Sequence, residues 1–178
     1  MRNLFYISCI IIALGIAPAA IAAAATSQDY IRNYVPQAQK VGEGRLTVMV
    51  WDVYDAALYA PQGAWKKDEP FALQLSYLRE IEGGKIADRS IEEMRAQGIT
   101  DEVKLAAWHT QMRKIFPDVR EGMILTGVYT KSGTTIFYKD GAEVGRVNDP
   151  EFSRAFFDIW LDESTNAPAL RRKLLGAA

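Results

Sequence analysis

Residues 42–61 constrain the fold of this chain more than any other stretch, because glycine breaks there precede a dense run of β-forming residues. Gly42 and Gly44 predict a turn. In residues 46–54, apolar side chains occur at both odd and even positions, which face opposite sides of a strand. This pattern is typical of a strand that is covered on two sides. A Pro-Gln-Gly sequence at 61–63 ends the element. The stretch therefore predicts a strand inside a packed sheet.

The remaining sequence alternates between strand and helix signals. Residues 26–40 are a polar lead-in with a short helix, and residues 71–81 alternate as a second strand. Helices are predicted at 85–97, 102–116, 150–161 and 168–175, and short strands joined by hairpin turns at 123–129, 134–138 and 143–147. This order predicts an α+β fold in which helices pack against one side of a large antiparallel sheet.

The helix that follows Asp149 has a well-defined start signal. Asp149 is a favourable N-cap residue, and Pro150 suits the first turn of a helix. Apolar residues cover most of the helix circumference between Phe152 and Leu161. The pattern predicts a deeply buried helix.

Residues 1–25 have the composition of an export signal. Arg2 is their single charge, residues 4–16 are almost entirely apolar, and Ala20-Ile21-Ala22 fits the small-x-small rule of signal peptidase. An uncleaved anchor is the alternative, although this run is shorter than the roughly 20 residues that span a bilayer. We predict a signal peptide at 1–25, one domain at 26–178, a periplasmic or secreted location, and no membrane span after cleavage.

The charge balance argues against two classes of partner. Cleavage after residue 25 removes Arg2 and leaves 20 basic against 22 acidic residues, a net charge of −2 without charge runs. Nucleic-acid binding needs a basic face, and electrostatic membrane binding needs a polybasic cluster. We therefore predict that the protein binds neither nucleic acid nor a membrane through basic residues.

The sequence lacks the patterns of common catalytic and metal sites. His109 is the single histidine, which makes a histidine-based zinc site or a Ser-His-Asp triad implausible, and Cys9 is the single cysteine and falls in the predicted signal. Asp52 and Asp55 lie three apart in a predicted strand, so they should point to opposite faces. The Glu92-Glu93 pair is expected on a solvated helix surface. We assign no catalytic residue, metal or cofactor.

Arg45 is a candidate for holding a charged ligand. Its parity in the predicted strand groups it with Thr47, Met49 and Trp51. A cation at the edge of an apolar face can bind a carboxylate while the ligand tail lies on the hydrophobic residues. The alternative is an arginine that pairs with Glu43 or another surface carboxylate.

Tyr54 and Tyr77 are further candidates, because a phenolic hydroxyl can donate a hydrogen bond into a pocket. The alternative is the common arrangement in which a strand tyrosine packs its ring and leaves the hydroxyl at the edge. The predicted ligand-binding set is therefore Arg45, Thr47, Met49, Trp51, Tyr54 and Tyr77.

Several segments along the chain have the pattern of a known family. The most specific is Phe-Ser-Arg-Ala-Phe-Phe-Asp-Ile-Trp-Leu at 152–161. The others are Val-Tyr-Asp-Ala-Ala-Leu-Tyr at 53–59, Leu-Ser-Tyr at 75–77, Phe-Pro-Asp-Val at 116–119 with Gly122, Phe137, Asp140-Gly141, and residues 170–176. Together these segments, spread over about residues 37–176, resemble the bacterial chalcone isomerase-like proteins.

The resemblance implies an open-faced β-sandwich, in which a large antiparallel sheet and a helical layer form a cleft. Plant enzymes with this fold cyclise chalcones through an arginine, a threonine, a tyrosine and an asparagine, whereas non-catalytic relatives bind fatty acids or assist partner enzymes. The match puts Met49 at the threonine position and Gln37 near the arginine position, and residues 99–116 contain no tyrosine. A methionine cannot donate to an oxyanion. Arg45, with Thr47 beside it on the same face, is a candidate to replace the arginine and threonine of the plant enzymes in space.

Three functions follow from the sequence. The first is non-catalytic binding of a small amphipathic or hydrophobic molecule, such as a fatty acid, in the cleft. The second is an accessory role that docks an envelope protein partner. The third is an isomerase or intramolecular lyase acting on an enone or phenolic substrate. Because Met49 stands where the isomerase needs its threonine, the sequence favours holding a ligand over converting one.

Overall fold

The computed structural model describes residues 29–177. The predictions for the export signal, its cleavage site and the single cysteine fall outside these residues. Among the helices of the described part of the chain, the longest have 14 residues, and none is both long and apolar enough to cross a bilayer.

Within residues 29–177, six strands form one antiparallel sheet whose spatial order is the order of the chain. They are β1 (Ala38–Val48), β2 (Trp51–Pro61), β3 (Phe71–Tyr77), β4 (Ile124–Tyr129), β5 (Thr135–Lys139) and β6 (Ala142–Val147). Every neighbouring pair is antiparallel, so hairpins and one helical excursion suffice to connect the strands.

In the described part of the chain, five helices accompany the sheet. They are α1 (Asp29–Arg32), α2 (Gly83–Ala96), α3 (Glu102–Ile115), α4 (Pro150–Leu161) and α5 (Pro168–Leu174). The last four form a layer over one side of the sheet, which we call the helix face. The predicted α+β fold with a large antiparallel sheet and a helical layer is confirmed.

The main core lies between the sheet and the helical layer and is rich in aromatic rings. Helix α4 supplies Phe152, Phe156, Phe157 and Trp160, all buried, as its apolar circumference predicted. The predicted cap is confirmed, since Asp149 accepts hydrogen bonds from the backbone of Glu151 at 2.9 Å and of Phe152 at 3.2 Å. The N-cap residue Asp149 and Pro150 therefore set the position at which α4 begins and enters the core.

The other side of the sheet, which we call the open face, has a smaller apolar cluster. The segment around α1 lays Ile31 and Val35 on it, and both side chains are fully buried. The sheet residues beneath are Tyr59, Ala72, Val128, Ile136 and Tyr138. The open face is thus covered in part by the segment that precedes β1.

The predicted turn at Gly42 and Gly44 is wrong, because both glycines lie inside β1. They are needed for close approach rather than for chain reversal. A Cβ atom on Gly42 would lie 2.7 Å from the carbonyl oxygen of Leu174 and closer still to that of Lys173, at the end of α5. The glycines therefore let β1 pass directly beneath this helix.

The single strand predicted over residues 46–54 is also wrong. The chain reverses at Met49 and Val50, and Val48 pairs with Trp51 across the turn. Met49 adopts a φ of 58°, the left-handed region where glycine or asparagine is usual. No turn residue marks the reversal, which is why the apolar run suggested an uninterrupted strand.

Substitution of Gly42 by alanine should destabilise the fold by about 1–3 kcal/mol, because the new methyl group meets backbone atoms that cannot turn away. The matched variant Gly44→Ala should cost less, since its Cβ would meet the flexible ends of Leu170 and Lys173. Urea unfolding of both variants measures the difference, and equal losses would contradict the close-approach explanation.

Candidate functional site

The structure separates the six predicted site residues into three places. Arg45 and Thr47 lie on β1 and face the open side of the sheet. The turn carries Met49 and Trp51 to the exposed tip of the β1–β2 hairpin. The remaining two, Tyr54 and Tyr77, are buried on the helix face. The six residues therefore do not line one cleft.

Arg45 is held by two carboxylates. Its Nε and Nη2 atoms donate to the two oxygens of Asp55 at 2.7 and 2.9 Å, and its Nη1 donates to Asp52 at 2.8 Å. These contacts raise the pKa of Arg45 further above its already high value, chiefly through Asp55. The pKa of Asp52 is lowered by the hydrogen bond from Thr47 and then by Arg45. The guanidinium is thus paired with surface carboxylates, as the alternative interpretation held.

Asp52 and Asp55 both reach Arg45, which contradicts the expectation that they point to opposite faces. Arg45 pairs with Asp55 in the sheet register, but Thr47 pairs with Asp52, so β2 carries one more residue than β1 between these pairs. This β-bulge reverses the alternation beyond it. Both carboxylates are consequently brought to one cation.

The ion cluster borders a groove of about 420 Å³ on the open face. Its lining includes Arg45, Asp55, Tyr59, Gln74 and Ser76. The groove is open to solvent, and polar atoms make up much of its surface. These features differ from the mostly apolar, enclosing pockets that bind small amphipathic molecules.

Tyr54 and Tyr77 form a pair on neighbouring strands. They are direct partners in the β2–β3 register, and their rings meet edge to face with centroids 5.7 Å apart. Tyr54 is 8% exposed and Tyr77 is 3% exposed. The indole of Trp160 on α4 donates to the Tyr54 hydroxyl oxygen at 2.9 Å. The pair therefore ties two strands to the most buried helix.

Both phenols remain hydrogen-bond donors at neutral pH. Burial raises the pKa of Tyr54 to about 12, and burial also raises the pKa of Tyr77. Within residues 29–177, neither hydroxyl proton has an acceptor: Tyr54 only accepts, from Trp160, and Tyr77 makes no hydrogen bond. Two protonated O–H groups without acceptors thus lie between the sheet and the helices.

An ion pair between the buried Glu93 and the exposed Arg89 borders this tyrosine pair. Glu93 on α2 accepts from Arg89 and, at 2.6 Å, from the side chain of Asn166. The charges of Glu93 and Arg89 both influence the pKa of Tyr54, in opposite directions. The expectation that Glu93 is solvated is wrong, because its position faces the loop between α4 and α5. The sequence signals that could have shown this are the apolar neighbours Ile91 and Met94.

The open groove does not touch Tyr54 or Tyr77. A second concavity, beside Trp65 and Phe157, holds only about 10 Å³ and also lies away from the pair. Neither of these two concavities opens onto the tyrosine pair.

These features define an α+β domain whose buried polar pair lies between an open antiparallel sheet and a helical layer. The family model of chalcone isomerase-like proteins matches residues 40–176, and the chain belongs to this family. A comparison with curated protein sequences found no significant match.

Among solved structures, the fold is similar to that of an Arabidopsis thaliana fatty-acid binding protein. The two share 13% sequence identity and superpose with a TM-score of 0.61, over 79% of this chain and 88% of the plant protein. At this identity the likeness concerns the fold.

The positions matched to the plant isomerase's arginine and threonine lie far apart. Gln37 immediately precedes β1, whereas Met49 follows its far end and is 92% exposed. The 11 residues of β1 separate them by roughly 35 Å of extended chain. These two positions therefore do not meet at a common site.

The free energy of unfolding should fall as the pH rises from 10 towards 12. The unfolded tyrosines lose their protons near pH 10, whereas burial keeps Tyr54 protonated up to about 12, so the folded state binds more protons in this window. The slope should reach about 1.4 kcal/mol per pH unit for each buried tyrosine. Tyr54→Phe should reduce that slope in urea unfolding between pH 9 and 11; an unchanged slope would show that Tyr54 ionises normally.

Proposed function

We propose that this protein binds a small amphipathic ligand that carries an oxygen head group, such as a fatty acid, without converting it. The binding site lies between the sheet and the helical layer, with Tyr54 and Tyr77 as the head-group donors. The observation that carries the proposal is this pair of buried tyrosines, whose hydroxyl protons have no acceptor among the described residues.

The chemistry of the pair suits an acceptor oxygen. Trp160 donates to the Tyr54 oxygen and thereby leaves the phenolic proton of Tyr54 available. Tyr77 presents a second proton from the adjacent strand. A carboxylate or carbonyl oxygen can accept both, and pairing a buried donor removes the cost of leaving it unsatisfied.

The head group is held by hydrogen bonds rather than by a free cation. Arg89 is the cation whose charge acts on Tyr54, and it is already paired with Glu92 and Glu93. Arg45 lies across the sheet in its own carboxylate cluster. Ligand affinity should therefore depend only weakly on salt.

Ligand entry requires the helical layer to move. The two concavities described above do not reach the tyrosine pair, and aromatic side chains of α4 pack over the sheet next to it. A ligand tail would take the place of contacts between apolar side chains of the sheet and of α2 or α4. Such replacement is favourable when the tail buries a comparable apolar area.

Binding without conversion agrees with the placement of Gln37 and Met49. The cyclisation chemistry of the plant enzymes, as the family resemblance describes it, needs an arginine and a threonine at those positions. Both family membership and the likeness to a plant protein described as fatty-acid binding support the ligand class. The export signal predicted at residues 1–25 supports a periplasmic or secreted location for this binding protein.

The proposal can be tested by purifying the protein, extracting its ligand for mass spectrometry, and titrating the stripped protein with a fatty-acid series. Tyr54→Phe and Tyr77→Phe should each weaken the affinity by about tenfold, the equivalent of one lost hydrogen bond. Tyr129→Phe is the matched control, because Tyr129 is buried on the same face at the opposite end of the sheet.

Two outcomes would contradict the proposal. If Arg45→Ala weakens binding and the tyrosine variants do not, the ligand occupies the open groove. If the protein carries no ligand and no fatty acid shifts its melting temperature, the accessory role predicted from the sequence, with an envelope protein as partner, takes its place.

A further inference from the structure

The tip of the β1–β2 hairpin is an exposed apolar surface. It consists of Val48, Met49, Val50 and Trp51, whose side chains are 52%, 92%, 82% and 60% exposed; we call these four residues the hairpin tip. Val103 on α3 is the other large hydrophobic residue with comparable exposure in the described part of the chain, and it stands alone. Four consecutive apolar residues at a protruding turn therefore need an explanation.

The apolar side chains at the turn itself, Met49 and Val50, gain little from the fold, since they are 92% and 82% exposed. Met49 occupies a left-handed conformation, which costs energy for a residue other than glycine or asparagine, and its side chain is almost fully exposed. Polar turn residues would be more stable and more soluble at this position. A local rule that is broken without a structural gain is expected at functional positions.

A sharp chemical boundary lies directly behind the hairpin tip. Thr47 and Asp52 form the next residue pair of the hairpin and are hydrogen-bonded to each other at 2.7 Å. Arg45 joins this collar through Asp52. The guanidinium of Arg79 lies 5.2 Å from the centre of the Trp51 ring. The chain thus changes from apolar to polar within one residue along both strands, to Thr47 on β1 and to the carboxylate of Asp52 on β2.

We infer that the hairpin tip inserts into the interfacial layer of a lipid bilayer. Valine and methionine would enter the acyl region, and Trp51 with Arg79 would sit at head-group depth, where amphipathic rings and cations are favoured. The convex shape of a two-residue turn favours a deformable lipid surface over a protein partner, which would need a deep socket. The collar is mixed in charge, so the attraction is apolar and does not require anionic lipid.

This inference stands independently of the proposed ligand. Vesicle binding is measured with ligand-free protein, and the tyrosine pair is not part of the hairpin tip. Loss of fatty-acid binding in the tyrosine variants and loss of vesicle binding in hairpin-tip variants are therefore separate results.

The test is flotation of the protein, recovered after export, with phosphatidylcholine vesicles. The double variant Met49→Asp with Val50→Asp should lower the bound fraction on the order of tenfold, because charged side chains resist transfer to the acyl region. Val103→Asp is the matched control, with an equally exposed apolar residue on another surface, and it should bind like the unmodified protein. The melting temperature should fall in neither variant, since all three positions are exposed.

Tryptophan fluorescence locates the insertion. Brominated lipids should quench part of the emission, and Trp51→Phe should remove that quenching. Of the other tryptophans, Trp108 and Trp160 are buried in the core, and Trp65 follows the end of β2 that lies away from the hairpin tip. Raising the salt from about 0.05 to 0.5 M should leave binding nearly unchanged. Absence of flotation, equal flotation of the double variant, or binding that needs anionic lipid and disappears in salt would each overturn the inference.

Discussion

The register of β2 is the constraint on which the rest of the structure depends. Alternation along this strand sends Tyr54 to the helix face and Asp55 to the open face. A slip of one residue would bury a carboxylate and expose a tyrosine that bonds to α4, which no local rearrangement can offset. The two-point contact of Arg45 with Asp55 lies directly across the β1–β2 pairing and is compatible with a single register. The position of the tyrosine pair and that of the carboxylate cluster around Arg45 thus both depend on the β1–β2 register.

Helix α4 connects this register to the rest of the core. Its Asp149 cap also accepts a hydrogen bond from the indole of Trp108 on α3 at 2.9 Å, and its other end reaches Tyr54 through Trp160. Between these polar ends, the phenylalanines of α4 pack edge to face on Phe71 and Phe137 of the sheet. Polar bonds at both ends and rings in between fix the position of the helix along its axis. Movement that admits a ligand therefore has to loosen one end of α4 while the other holds.

Much of the fold could be predicted from the sequence, because local signals and global packing agree in most elements. The cap at Asp149 and the apolar circumference of α4 are such signals, and both were confirmed. The prediction of a turn at Gly42 is wrong because the local sequence does not distinguish two uses of glycine. One is a turn, and the other is the close approach of a neighbouring helix that leaves no space for a Cβ atom. The hairpin turn is not evident from the sequence, because neither Met49 nor Val50 is a usual turn residue. Arg45, Thr47, Met49 and Trp51 share a parity along a predicted strand that the structure interrupts, and Tyr54 and Tyr77 are candidates because of their hydroxyls. The predicted set therefore joins Arg45 and Tyr54 in one cleft, although they lie on opposite faces.

The hairpin tip, where the sequence-based prediction is wrong, lies close to the tyrosine pair that we propose as the ligand-binding site. The hairpin tip ends at Trp51, and three residues later along β2, about 10 Å of extended chain, lies Tyr54. The end of β3 is also close to the hairpin tip. Tyr77 is its last residue, and Arg79, two residues later, lies over the ring of Trp51. An apolar tip docked in a bilayer would hold the tyrosine pair at the end of the sheet nearest the lipid. A fatty acid leaving the membrane there would travel along apolar protein surface, with little of its tail exposed to water. Transfer through water is unfavourable because of the free energy needed to expose that apolar tail.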